Sequence, residues 1–287
     1  MLDLALAVAS TTAIAILLRL ARQFDRQIEV IIAVNYFVAA LIGGLLLLES
    51  GDSLSAEPTT VFLALGGGPL WPAAFHFYAV GIATFGIART GAWARLSLLI
   101  PVLVGVIFLG EGITVRLVAG LVLLLVAFVA LTPQSAPVHV DASATRRTAN
   151  TLWFAAGLIV VFGIIDAWIS IFNEFGGGED LTFFVILFGT AAVVSWIALL
   201  VRRITVEATD VAVGAVLGIF NFGVSFFLLR AIAGGFENRS AVAFTLFAAS
   251  SLVIMVGIGR LVWGERVRGR ELAGVATAIL AIVALNV

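Results

Sequence analysis

Three ionisable residues, Arg95, Asp166 and His76, stand in stretches that are otherwise almost wholly apolar. An ionisable group surrounded by hydrocarbon is costly to keep, so each is a candidate for function. The guanidinium of Arg95 could grip a carboxylate or phosphate through two parallel hydrogen bonds. It could equally snorkel to headgroups or pin neighbouring helices. The carboxylate of Asp166 could take up a proton or an ammonium group. It could also be a structural partner, with Arg95 the obvious cation. His76 could relay protons or hydrogen-bond to a neighbour. No second ligand stands near it at metal-binding spacing, so neither a metal site nor a cofactor is expected.

Uncharged polar and aromatic residues extend the set. Asn35, Tyr36, Ser97 and Asn221 could line a cavity and orient a polar solute; hydrogen bonding between helices explains them as well. Trp71, Phe75, Phe77, Tyr78, Trp93 and Trp168 could form a stacking box, although core or lipid-facing positions are the default for any one of them. Trp168 is favoured because it lies two residues from Asp166. Gly66-Gly67-Gly68-Pro69 with Pro72, and separately Pro101, interrupt two apolar stretches. Such breaks free backbone carbonyls and allow bending. Gly68, Pro69, Pro72 and Pro101 are therefore expected to act in gating, against the plain alternative that glycine and proline are ordinary in membrane helices.

These residues must be positioned by spanning helices. Of 287 residues 62% are hydrophobic and 11% charged, with a mean hydropathy of +1.19. A soluble domain has no means of hiding that much apolar surface. Cysteine is absent, which rules out disulfide and thiolate chemistry, and the net charge of −1 argues against nucleic acid. A bilayer core needs about 20 apolar residues per helix. Ten stretches qualify: 2–20, 28–48, 59–82, 86–109, 114–131, 151–173, 181–200, 210–232, 240–262 and 269–287. The first has no positive segment before it and is followed by Arg19, Arg22 and Arg26, so it reads as a retained helix and not a cleaved signal.

The longest connection, 132–149, reads as a linker between a first repeat, 1–131, and a second, 150–287. Gly110-Glu111 is followed by Ile113, Arg116, Ala119 and Gly120; Gly264-Glu265 is followed by Val267, Arg270, Ala273 and Gly274 at the same spacing. One offset of 154 residues superposes them. Glu111 and Glu265 each precede a new helix, where a capping role is expected. Five spans per repeat is an odd number, so the second repeat must begin on the opposite side of the membrane. The expected fold is all-α, with ten transmembrane helices as two inverted five-helix repeats, a common plan of secondary transporters.

Arginine sets the orientation. One face carries Arg19, Arg22, Arg26, Arg89, Arg146, Arg147, Arg202, Arg203, Arg260, Arg266, Arg268 and Arg270; the other keeps Arg116, Arg230 and Arg239. Basic loops stay in the cytoplasm. The expected location is the bacterial inner membrane, with both termini outside, in the periplasm.

The segment Ala94-Arg95-Leu96-Ser97-Leu98-Leu99-Ile100-Pro101-Val102, running on to Leu109-Gly110-Glu111 and Gly120, resembles the drug/metabolite transporter superfamily in its EamA-type branch. So does Ser250-Ser251 through Gly264-Glu265 to Gly274, and smaller likenesses lie at Asn35-Tyr36, Gly163-Ile164-Ile165-Asp166 and Asn221. The chain departs from many relatives in its first span, Ala9-Ser10-Thr11-Thr12, and in an acidic second loop. The resemblance implies a ten-helix exporter or exchanger of small organic molecules, with a central cavity lined by both halves. The expected activity is secondary transport by alternating access of a metabolite such as an amino acid or an amphiphilic drug, with proton coupling through Asp166 one option. Membrane lipids are the expected surroundings, and monomer and homodimer both remain open. The chain has no P-loop, so direct ATP drive is not expected, and no motif assembles a nucleophile and base, so the reading is not an enzyme. A lipid-handling scramblase or enzyme on the same scaffold is the alternative.

Overall fold

Lipid offers the backbone no hydrogen-bonding partners, so an apolar chain must satisfy its amides internally, which helices do. The computed structural model describes all residues except 52–55, 98, 109, 111, 132–141, 177–179, 236–239, 265–268 and 287. The side chains of some residues inside helices, Arg95 among them, lie outside the description as well. Among the described residues there is no strand. The helices are α1 (Leu2–Gln23), α2 (Ile28–Ser50), α3 (Pro58–Gly67), α4 (Leu70–Phe85), α5 (Ile87–Leu96), α6 (Leu99–Ile107), α7 (Val115–Leu131), α8 (Ala142–Phe175), α9 (Asp180–Arg202), α10 (Ala208–Arg230), α11 (Ser240–Trp263) and α12 (Gly269–Asn286). A π-helical turn, Ala231–Gly235, continues α10.

Among the described residues six segments are long and apolar enough to cross a bilayer: α1, α2, Trp153–Phe175 of α8, α9, Ala208–Gly234 and Val242–Trp263. Their outer faces carry large exposed apolar side chains, including Leu45, Leu48, Ile197, Leu200 and Ile219. A soluble protein would not leave so much apolar surface in water. The chain is a multi-pass, membrane-embedded helical protein.

Helix ends follow local chemistry. Gly51 closes α2 with φ +77°, and Gly86 follows α4 with φ +85°, left-handed torsions that side-chain-bearing residues avoid. Pro58 starts α3 in the first turn, where a missing N–H costs nothing. The third apolar stretch is divided between α3 and α4, yet Gly68 (φ −44°, ψ −46°) and Pro69 (φ −67°, ψ −23°) keep right-handed helical torsions. The chain therefore bends there without unwinding. Pro72 lies in the first turn of α4, again where no donor is needed. The fourth stretch breaks between α5 and α6, just upstream of Pro101. Proline at 101 has no N–H to give the carbonyl of Ser97, and the amide of Ile100 bonds to that carbonyl instead, at 2.9 Å.

One boundary differs from expectation. The linker expected at 132–149 overlaps α8, which begins at Ala142. Beyond Pro137 the sequence Ala142-Ser-Ala-Thr-Arg-Arg has no proline or glycine, so nothing stops the spanning helix from extending toward its N-terminus. Residues 132–141 lie outside the described part, as do Glu111 and Glu265 with their expected capping roles.

Packing is centred on α2, α9 and α10. α2 packs against both α9 and α10, α10 also packs on α1, and α7 pairs with α12. An aromatic core runs through this region. Phe172 and Phe183 stack with centroids 3.7 Å apart, and Phe184 continues through Phe188 to Phe222. On the arginine-rich face the Arg19 guanidinium covers the Trp263 ring at 4.7 Å. Arg26, between α1 and α2, reaches the start of α10 on that face. Its Nη1 donates to Oγ1 of Thr209 at 2.6 Å and to Oε2 of Glu207 at 3.2 Å, with Oδ1 of buried Asp210 at 4.0 Å.

Candidate functional site: a carboxylate-bearing cavity

The break before Pro101 leaves Ser97 buried beyond the end of α5. Its Oγ lies 2.5 Å from the carbonyl oxygen of Ala94 and 3.1 Å from Oδ2 of Asp166 on α8. A hydroxyl has one proton and two lone pairs, so it cannot donate to both. With Asp166 ionised, Ser97 donates to the carboxylate. With Asp166 protonated, the carboxyl donates to Ser97, which donates to Ala94. The pair is thus hydrogen-bonded in either protonation state.

Asp166 also lines a cavity of about 80 Å³. Its walls come from α1, α4, α8, α10 and α11, including Thr11, Trp71, Tyr78, Phe162, Asn221 and Phe247. At about 30 Å³ per water this holds two or three waters in the present conformation. Asp166 and Asn221 each lie just past the middle of a 23-residue span, Trp153–Phe175 and α10 respectively. The Nδ2 of Asn221 is buried and has no hydrogen-bond partner among the described residues. Among the described residues it is a donor without an acceptor, in an aromatic-walled cavity that the Asp166 carboxylate also lines.

The residues singled out in the sequence divide into groups. Asp166 and Asn221 line the cavity, and Ser97 bonds to Asp166. Arg95 is on α5, close to this break, and its side chain lies outside the described part. Asn35 and Tyr36 are fully buried in α2 and are not themselves cavity-lining, with Tyr36 between Phe188 and the cavity-lining Phe75. The side-chain amide of Asn35 and the hydroxyl of Tyr36 have no hydrogen-bond partner among the described residues. His76 and Pro72 line a different cavity, between α4 and α9. Trp168 is absent from the central lining; its Nε1 donates to the carbonyl of Leu63 at 2.8 Å, and its ring covers Gly66 and Gly67. Trp168→Phe should therefore cost about 1 kcal/mol of stability through that one hydrogen bond and leave ligand affinity unchanged, as thermal unfolding and a binding assay on the same sample would show.

Sequence reasoning misses Thr11, Ser225 and Phe247. One signal was available for Ser225, which lies four residues after Asn221 and so shares its helix face; Thr11 and Phe247 carry none.

This arrangement defines a class: a multi-pass α-helical membrane protein with a carboxylate in a cavity at mid-span depth. The chain belongs to the same family as an uncharacterized protein of Haemophilus influenzae (strain ATCC 51907 / DSM 11121 / KW20 / Rd), with 30% identity over 296 residues covering 99% of this chain and 97% of that protein. A solved crystal structure shares the fold with a TM-score of 0.71 at 18% identity, over 99% of this chain and 94% of that one. No family model matches.

Proposed function

We propose that this protein is a secondary transporter of the drug/metabolite transporter superfamily, EamA-type branch, built from ten spans in two inverted halves, which moves a small organic solute across a bacterial inner membrane by alternating access. The observation that carries the reading is the cavity around Asp166. It joins a titratable group, an amide donor unpartnered among the described residues and aromatic walls, at a depth where charge is tolerated only for a reason. In its present form it is too small for a metabolite, so loading requires the helices around it to part.

The helix pairing supports the inverted repeat. If α3 with α4 and α5 with α6 each count as one crossing, the two-fold axis of an inverted repeat would relate α2 to α9 and α7 to α12, and both pairs are in contact. The same axis would relate the contact of α1 with α10 to that of α8 with α4, and both contacts are present. Gly110 (φ +70°) and Gly264 (φ +62°) have matching left-handed torsions at the 154-residue offset. In this reading the breaks at Gly68–Pro69 and at Pro101 are the bending points, with Pro72 beside the first.

Proton coupling fits the Ser97–Asp166 pair, which stays hydrogen-bonded whether or not the carboxylate holds a proton. Vesicles preloaded with labelled amino acids, organic acids or cationic dyes test the whole reading. Saturable flux of one class, accelerated by a pH gradient, is the expected result; lipid turnover or scrambling with no solute flux would refute it.

Two further outcomes follow. A periplasm-active reporter fused after residue 287 should be active and a cytoplasm-active one silent, because the arginine-rich loops stay inside. The reverse pattern would overturn the orientation. Arg26 ties the first half to the start of α10 through Thr209 and Glu207 on the arginine-rich face, and so holds that face shut. Arg26→Ala should increase labelling of Ser225→Cys from that face several-fold, since each of these two exposed contacts is worth about 0.2–1 kcal/mol. The chain's lack of cysteine makes that readout clean.

A further inference from the structure

We propose that the crevice between α4, α9 and the start of α2 is a binding site for a membrane phospholipid whose headgroup carries a phosphate and a primary ammonium. The crevice has a volume of about 310 Å³ and is separate from the cavity around Asp166. At its mouth are Glu29, in the first turn of α2, and Arg202, the last residue of α9. His76 lies deeper, nine residues before the end of α4, or about 14 Å at 1.5 Å per residue. Its sides are apolar and open outward, where Ala73, Phe77, Val194 and Ala198 are exposed on the lipid-facing surface.

The order of groups down the crevice matches the order of groups in such a lipid. A carboxylate and a guanidinium at water level suit an ammonium and a phosphate. An imidazole N–H below them suits a glycerol ester carbonyl, which can only accept. The exposed apolar walls then suit acyl chains. Glu29, His76 and Arg202 have no ion pair or hydrogen bond to one another among the described residues, so their polar atoms remain available to a headgroup. A lone guanidinium would take any anionic lipid. The carboxylate beside it selects a zwitterion, and a hydrogen-bonding ammonium over a trimethylated one.

The proposal rests on the membrane embedding alone and is independent of the transport reading. Its test is native mass spectrometry of the purified full chain, titrated with phosphatidylethanolamine, phosphatidylcholine or phosphatidylglycerol of matched acyl chains. Wild type should retain phosphatidylethanolamine about tenfold better than phosphatidylcholine, the value of one charge-assisted hydrogen bond. Glu29→Gln should abolish that preference, and Arg202→Gln should weaken retention of all three. His76→Phe, which keeps the ring volume, should weaken retention without altering the preference. Thermal unfolding without added lipid confirms that the variants are folded. Equal retention of phosphatidylethanolamine and phosphatidylcholine by wild type would overturn the proposal, as would folded variants that behave like wild type. Displacement by tailless glycerophosphoethanolamine at tenfold excess would overturn the lipid assignment and make this a site for a soluble zwitterion.

Discussion

Vesicles carrying Asp166→Asn are expected to lose saturable solute flux by at least about tenfold, the rate equivalent of roughly 1.4 kcal/mol, with protein yield and unfolding temperature near those of wild type. Asparagine keeps the size and hydrogen-bonding reach of aspartate, so Ser97 can still bond to position 166. What disappears is the charge and the ability to bind a proton. If the carboxylate receives a proton or a cationic group of the solute, each cycle depends on it, and a neutral amide has no substitute to offer. Ser97→Ala should have a smaller effect, about three- to tenfold, because one hydrogen bond is lost and the charge remains. Wild-type flux in folded Asp166→Asn would remove the residue from the site. Complete loss of flux with loss of folded protein in both variants would make the pair a structural tie. The order of the two effects separates these cases, because a purely structural bond should suffer from either change alike.

The largest expected effect on folding is at Gly218. A Cβ there would stand 2.6 Å from the backbone oxygen of Asn35 and 2.8 Å from Cβ of Val38. Gly214, one turn earlier, meets the carbonyl oxygen of Ile31 at 2.8 Å in the same way. α2 and α10 therefore cross with their backbones nearly touching, which small residues permit and larger ones prevent. Backbone atoms cannot swing aside as a flexible side chain can, so Gly218→Ala must push the helices apart. The expected cost is about 2–3 kcal/mol or more, seen as a lowered unfolding temperature and a poor yield of monodisperse protein. Gly44→Ala is the control. It lies in α2, the helix that Gly218 crosses, with nothing within 4 Å of the added carbon, and should be neutral or slightly stabilising through helix propensity. Equal behaviour of the two variants would contradict the close crossing. The same separation of α2 from α10 would also move Asn221, three residues beyond Gly218, so any folded Gly218→Ala protein should show reduced flux.

Much of the site was readable as depth along a helix. Asp166 and Asn221 were recognisable as polar residues inside apolar spans, and both line the cavity. Pro101 was recognisable as a break, and the break does fall just before it. Rotation about each helix axis was not readable. Trp168 is two residues from Asp166, and two residues on a helix differ by about 200°, so it faces α3 and not the cavity. His76 shares α4 with cavity-lining Trp71, Phe75 and Tyr78, yet it falls on the flank facing α9. Asn35 and Tyr36 are fully buried in α2, with Tyr36 between the rings of Phe75 and Phe188 and the Asn35 backbone against Gly218 of α10, contacts that sequence spacing does not place.

The amino-acid order by itself determined that this chain is helical and lives in a bilayer, because apolar runs of that length leave the backbone no other way to satisfy its amides. It also determined where helices end or bend, since glycine and proline act on the residues next to them. The tertiary structure alone decided which side chains meet. That choice depends on how each helix is rotated and how closely its neighbours approach, and contacts far apart in sequence govern both. Ser97 reaches Asp166 from 69 residues away, and Gly214 and Gly218 set the distance between α2 and α10 from the far half of the chain.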